Sequence, residues 1–108
     1  MFVIDPAPTF DAQVNITQPG KTDAAVLNLT FKYQDAEELA TWTAGLAGRK
    51  DVDALSDIVL GWRDVATASG ALPFSKDNLG LVLTKYHTAA EEIYSAYFSQ
   101  LKASRQKN

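Results

Sequence analysis

Apolar and polar residues alternate along two segments near the start of the chain. In TFDAQVNI and again in LNLTFKY, every second residue is apolar. A period of two is typical of a strand with one buried face, and the intervening Pro19-Gly20 indicates a turn. The sequence therefore predicts an antiparallel β-hairpin over residues 10–34. Residues 1–9 contain two prolines and are predicted to form an irregular arm or an edge segment.

After the hairpin the apolar spacing changes to three and four, the period of an amphipathic helix. The first helix is predicted to begin at a capping box of Asp35 and Glu38 and to end at Gly48. A second helix is predicted to begin at Asp51 or Asp53, because a carboxylate suits the positive end of a helix. The inner face of the first helix should carry Leu39, Trp42 and Leu46. The inner face of the second should carry Val52, Leu55, Ile58, Val59 and Trp62.

Two more helices are predicted after a polar loop over residues 63–74. Ser75 should cap the third helix, and Thr88 with Glu91 forms a second capping box at the start of the fourth. The chain should fray over residues 105–108. The inner faces of these helices are predicted to carry Leu79, Val82, Leu83 and Tyr86 in the third and Ala90, Ile93, Tyr94, Tyr97 and Leu101 in the fourth.

Strands come first in this chain and helices follow, instead of alternating with them. Segregated elements indicate an α+β fold, and the hairpin needs the helices as a cover because two strands alone are marginal in water. We therefore expect an N-terminal hairpin packed on about four helices in a helical part over residues 35–104. A chain of 108 residues is predicted to form one domain over residues 1–108.

Charge and composition narrow the classes of partner. The net charge of −3 argues against nucleic acid, whose phosphates attract basic proteins. No apolar run approaches the ~18 residues of a membrane span. The start, MFVIDPAP, lacks a basic leader, and the chain has no cysteine, so we expect a cytosolic protein without disulfides.

The sequence contains no coherent set of catalytic or metal-binding residues. The single imidazole, His87, stands at a predicted helix junction, where packing or capping is its usual role. No serine occupies a G-x-S-x-G turn. Asp51 and Asp53 resemble a carboxylate pair, but capping explains them better than a metal site. We expect a protein that is not an enzyme and needs no cofactor or metal.

Aromatic residues are concentrated in the helical half of the chain. Their spacing places most of them on inner helix faces. Phe98 departs from the inner stripe of the fourth helix, which makes that helix apolar on more than one side, a pattern typical of a partner surface. These aromatic residues are Trp42, Trp62, Phe74, Tyr86, Tyr94, Tyr97 and Phe98.

The second half of the chain contains an ordered set of landmarks: Gly61-Trp62, Pro73-Phe74-Ser75, Leu79, Tyr86, Ile93, Ala96-Tyr97 and Leu101. In this order and spacing they resemble the small tail assembly chaperones of long-tailed phages and prophages. The likeness extends back through TFDAQVNI, LNLTFKY and DAEELATW, so it covers nearly the whole chain. His87 departs from the pattern, because many relatives would have proline there.

The resemblance implies a protein that binds and solubilises the tape measure protein and helps to recruit tail tube subunits. Such a protein would act in the bacterial host cytoplasm and would be absent from the mature virion. It implies as partners the tape measure protein, the tail tube protein, a frameshifted longer form of the chain, and further copies of itself. The residues expected to contact a partner are Trp62, Phe74, Tyr86, Tyr94, Tyr97, Phe98 and Leu101.

The last three residues, Gln106-Lys107-Asn108, can be encoded as CAA AAA AAC, which contains a slippery run for ribosomal frameshifting. A polar, frayed tail explains the same residues without any frameshift.

A second hypothesis for the whole chain is a small structural virion protein, such as a connector or a tail completion subunit.

Overall fold

The computed structural model describes residues 1–102, and the predicted tail at 105–108 lies outside them. Three strands form one antiparallel sheet in the order β1-β2-β3, and two short strands form a second, β4-β5. The predicted α+β class is confirmed. The elements in chain order are β1 (Thr9–Ile16), β2 (Ala25–Lys32), α1 (Ala36–Ala44), α2 (Asp51–Ser56), β3 (Val59–Arg63), β4 (Ala66–Thr67), β5 (Gly70–Ala71), α3 (Lys76–Lys85) and α4 (Ala89–Lys102).

The predicted hairpin is confirmed as β1 and β2. Phe10 pairs with Phe31 and Val14 with Leu27 along an unbroken antiparallel register. The connecting turn includes Gly20, whose φ of +79° is a conformation that glycine adopts without a steric penalty. One face of the hairpin is buried by the helices, as the alternation predicted. Its buried residues are Ala12, Val14, Ile16, Leu27, Leu29 and Phe31.

The second helix is shorter than predicted, because the segment after it forms a third strand. The helix ends at Ser56, so the prediction that Ile58, Val59 and Trp62 belong to it is wrong. The N–H of Lys32 donates to the carbonyl of Ile58 at 2.8 Å, and β3 then pairs with β2. This pairing skips Leu60 at an irregularity and places the other residues of β3 opposite β2. Val59 is buried there, at 2% exposed.

The predicted loop over residues 63–74 contains the small β4-β5 hairpin. It leaves β3 through Asp64, a non-glycine residue with a φ of 60°. Gly70, at the start of β5, has a φ of +123°, which only glycine adopts readily. The N–H of Leu72 donates to the carbonyl of Val65 at 2.8 Å and closes the base of this small hairpin. The indole N–H of Trp62 on β3 donates to the carbonyl of Leu72, so the segment is also tied to the sheet.

Two of the predicted helix starts are confirmed by their capping bonds. Asp35 and Glu38 form the reciprocal capping box of α1, with bonds of 2.8 and 2.9 Å. Ser75 caps α3 by accepting from the N–H of Asn78 at 3.0 Å. However, α1 ends at Ala44, before the predicted Gly48, because Gly45 follows it and glycine is a poor helix former.

The start of α4 is secured by Glu92 and not by the predicted Glu91. The carboxylate of Glu92 accepts hydrogen bonds from both the N–H and the hydroxyl of Thr17. The first helical bond of α4 runs from the N–H of Glu92 to the carbonyl of Thr88, at 3.0 Å. One side chain thus ties the beginning of α4 to the end of β1.

Candidate partner-binding groove

The apolar groove is an open depression of about 420 Å³ between the hairpin end of the sheet and α3. Buried Ile16 and Leu27 contribute to its lining, and so do the more exposed Val26 and Leu81, which are 52% and 39% exposed. Apolar residues left in contact with water beside a buried core are typical of a binding surface. Its other apolar lining residues are Ala25, Val65, Ala66, Leu72, Val82 and Tyr86.

One wall of this groove is an open strand edge. The bond from Lys32 N–H to the carbonyl of Ile58 shows that the even-numbered residues of β2 face β3. Pairing with β3 extends along β2 from Phe31 to Asn28 and stops there. Val26, the next even-numbered residue, therefore directs its backbone N–H and C=O toward the groove. The groove offers both apolar side chains and backbone hydrogen-bonding groups to an extended segment.

Three of the residues predicted to contact a partner lie at or behind this groove. Tyr86 lines it directly. Trp62 and Phe74 pack edge to face, with ring centroids 5.2 Å apart. The indole N–H of Trp62 donates to the carbonyl of Leu72 at 2.9 Å, and Leu72 is a lining residue. The aromatic pair therefore holds one wall of the groove in place.

The other four predicted residues lie on α4 and do not line the groove. Tyr94 and Phe98 are half-buried and pack against Trp42, with centroids 6.2 and 6.1 Å away. Leu101 is also half-buried. Tyr97 is 0% exposed, so in this structure it is a core residue and not part of the surface. Contacts of Tyr94, Phe98 and Leu101 with a partner stay predictions.

Sequence reasoning missed two exposed apolar residues of the groove, Val26 and Leu81. Each carried a signal in the pattern. Val26 is the one apolar residue on the face that β2 shares with Asn28, Thr30 and Lys32. Leu81 falls outside the predicted inner face of α3. An apolar residue on an otherwise polar face was the available indication of a binding surface.

Candidate chemistry is sparse in the part of the chain that the structure describes. His87 is exposed in the turn between α3 and α4. Among residues 1–102 there is no group of three or more His, Cys, Asp or Glu side chains placed to hold a metal ion. Within the same residues, no helix is both long enough and apolar enough to cross a membrane.

The bonds made by Glu92 predict a pH-dependent contribution to stability. Desolvation opposes its ionisation, but the hydrogen bonds from Thr17 and Thr88 outweigh this effect and lower the pKa of Glu92. Its contribution is therefore complete above the ordinary glutamate pKa of 4.5 and is lost as the pH falls through the lowered value. Replacing Glu92 with glutamine should lower the urea midpoint at pH 7 and should have a smaller effect at pH 3.

The matched control is Glu91→Gln, which changes the exposed neighbour of Glu92 in the same helical turn. It should leave the urea midpoint close to that of the unmodified protein at both pH values. A Glu92→Gln effect of equal size at pH 7 and pH 3 would contradict the assignment.

Comparison with known proteins identifies the family. The family model described as phage tail assembly chaperone matches residues 1–108, the whole chain. Searches of curated proteins and of solved structures found no match. The match spans the sheet, the helices and every residue of the apolar groove, so the chain belongs to the phage tail assembly chaperone family.

Proposed function

We propose that this protein binds the tape measure protein during tail assembly and keeps its apolar helices soluble until tail tube subunits surround them. It acts by reversible binding and without catalysis, in the bacterial host cytoplasm, and it is left out of the finished particle. The tail tube protein and a frameshifted longer form of the chain are further expected partners. Family membership supports the general role, and the apolar groove supports binding through a defined surface.

The apolar groove is the single observation that carries this proposal. Val26 and Leu81 expose apolar side chains beside buried Ile16 and Leu27. A partner segment lying there would remove the apolar surface of these residues from water. This burial favours binding by roughly 25 cal/mol per Å² of apolar surface. Such a gain is available for any apolar segment, which suits a chaperone that must cover a long and varied sequence.

The charge of the protein supports the same role. A net charge of −3 keeps copies bound along one partner from aggregating, because like-charged surfaces repel. The charged residues near the groove are few: Asp64 and Lys85 are its only charged lining residues in the part of the chain described. The groove can therefore accept an apolar segment without desolvating several charges.

Co-expression with the tape measure protein of the same phage or prophage tests this proposal. The measured quantity is the soluble fraction of the tape measure protein and the amount that co-purifies. Leu81→Asp should reduce co-purification by about tenfold, because an unpaired carboxylate would be buried in an apolar contact. Leu60→Asp is the matched control, since Leu60 is 47% exposed on β3 and does not line the groove.

Both variants must first show the urea midpoint of the unmodified protein. An equal loss of binding in Leu60→Asp and Leu81→Asp would show that the groove is not the binding site. Failure of the unmodified protein to solubilise its tape measure protein would contradict the function itself. Detection of the protein by mass spectrometry in purified particles would favour the second hypothesis, a structural virion component.

A further inference from the structure

The arm formed by residues 1–8 is the second uncovered apolar feature of this protein. It contains no helix or strand. Phe2, Val3 and Ile4 are 86%, 65% and 80% exposed, and they follow Met1 to make a run of four exposed apolar residues. Aromatic and β-branched residues favour extended conformations. The arm is therefore a short apolar segment suited to pairing with a strand, and it has no cover within residues 1–102.

The apolar groove has the features that such a segment requires. An extended chain placed beside Val26 would continue the line of β3 and hydrogen-bond to the open edge of β2. Side chains alternate along an extended segment, so Phe2 and Ile4 would point to the same side. The groove would receive these two apolar side chains next to Leu81 and Val82.

The arm cannot place its whole apolar run in the groove of its own chain. The groove lies at the Ile16 end of β1, whereas the arm joins the Thr9 end. Along an eight-residue strand these two ends lie about 24 Å apart. Even when fully extended, Val3 and Ile4 can reach at most about 22 and 18 Å from Thr9. Within one chain only Met1 and Phe2 could approach the groove, so docking of the whole run Met1–Ile4 requires a second molecule.

We infer that the apolar arm residues Met1–Ile4 of one copy dock into the apolar groove of a second copy, as a short strand beside Val26. One possible ion pair supports the match: Asp5 follows the docked residues, and Lys85 is one of the two charged residues that line the groove, the other being Asp64. Lys85 has no ion-pair partner among residues 1–102. The docking depends only on the arm and the groove. That the arm covers the groove until the tape measure protein displaces it rests on the proposed function.

Cross-linking between introduced cysteines tests the docking directly, since the chain has none of its own. One preparation carries Val3→Cys, and a second, distinguished by a mass tag, carries Leu81→Cys. A short bismaleimide should join the two into a mixed dimer. The matched control replaces Leu81→Cys with Leu60→Cys, a somewhat more exposed site outside the groove, and should give only a faint product.

Sedimentation of unlabelled protein provides a second measurement. The unmodified protein should self-associate as its concentration rises. Phe2→Asp and Leu81→Asp should each weaken this association by about tenfold, whereas Leu60→Asp should not. Equal cross-linking at positions 60 and 81, a Val3→Cys/Leu81→Cys double variant that cross-links within one chain, or an unmodified protein that stays monomeric would each overturn the inference.

These outcomes separate the docking from the proposed function. The cross-linking and sedimentation experiments contain no tape measure protein, so their failure leaves the chaperone role standing. If the docking and the proposed function both hold, removing residues 1–5 should abolish self-association and increase capture of the tape measure protein. If the arm docks but the arm-free protein captures no tape measure protein, the result contradicts the proposed function but not the docking.

Discussion

Replacing Tyr97 with alanine is expected to lower the free energy of unfolding by about 4 kcal/mol, a large part of the stability of a small domain. The side chain is 0% exposed. Its ring lies 5.1 Å from that of Phe31 and 5.8 Å from that of Trp42, between centroids. It thus joins the sheet to the helical layer, and its removal would leave a cavity that neither layer can fill. Urea denaturation followed by circular dichroism measures the loss.

Tyr97→Phe separates the ring from its hydroxyl group. The hydroxyl donates to the carbonyl of Lys32 at 2.9 Å and lies 3.2 Å from the side-chain oxygen of Gln34. Burial, with smaller effects from Glu38 and Tyr33, raises the pKa of Tyr97 to about 12, so the group stays a neutral donor. Tyr97→Phe should lower the free energy of unfolding by about 1–2 kcal/mol. Equal losses in the two variants would show that ring packing contributes little.

Replacing Trp42 with alanine should lower the free energy of unfolding by about 3 kcal/mol or more, and α1 should no longer pack on the rest of the protein. Trp42 is the buried residue of this nine-residue helix. Helices of that length do not persist alone in water. Amide hydrogen exchange should therefore become faster in α1 than in α3. The change in unfolding free energy is again measured in urea.

Trp42→Phe is the conservative comparison. It keeps an aromatic ring near Tyr94 and Phe98 but removes the indole N–H, which donates to Asp57 at 3.1 Å. The carboxylate of Asp57 would keep its ion pair with Arg49, at 2.6 Å. We expect the free energy of unfolding to fall by about 1 kcal/mol. The amides of α1 should stay protected from hydrogen exchange. If Trp42→Ala costs no more than Trp42→Phe, the ring does not anchor α1.

The core position of Tyr97 affects how partner-binding experiments should be interpreted. Tyr97 was predicted to contact a partner, yet a change there acts first on folding. A loss of binding in Tyr97→Ala would accompany partial unfolding and would not identify a contact. Exposed positions such as Leu81 and Val26 avoid this problem, because their side chains are in contact with water before binding.

The sequence by itself determined the hairpin, the α+β class and two of the helix starts. These features depend on neighbours in the chain. Alternation in TFDAQVNI and LNLTFKY sets the strand faces, and the side chains of Asp35 and Ser75 bond to backbone groups three residues later. The order of landmarks from Gly61-Trp62 to Leu101 also indicated the family that the whole-chain match later showed.

Only the tertiary structure decided the end of α2 and the location of the groove. The spacing of Val52, Leu55 and Val59 fits a helix, but the open edge of β2 offers the backbone after Ser56 a set of hydrogen bonds that makes it a strand. Likewise, an apolar pattern does not show which apolar residues become buried: Tyr97 is buried and Leu81 is exposed. Both outcomes depend on segments distant in sequence, because burial and strand pairing are settled by long-range contacts that a local period does not contain.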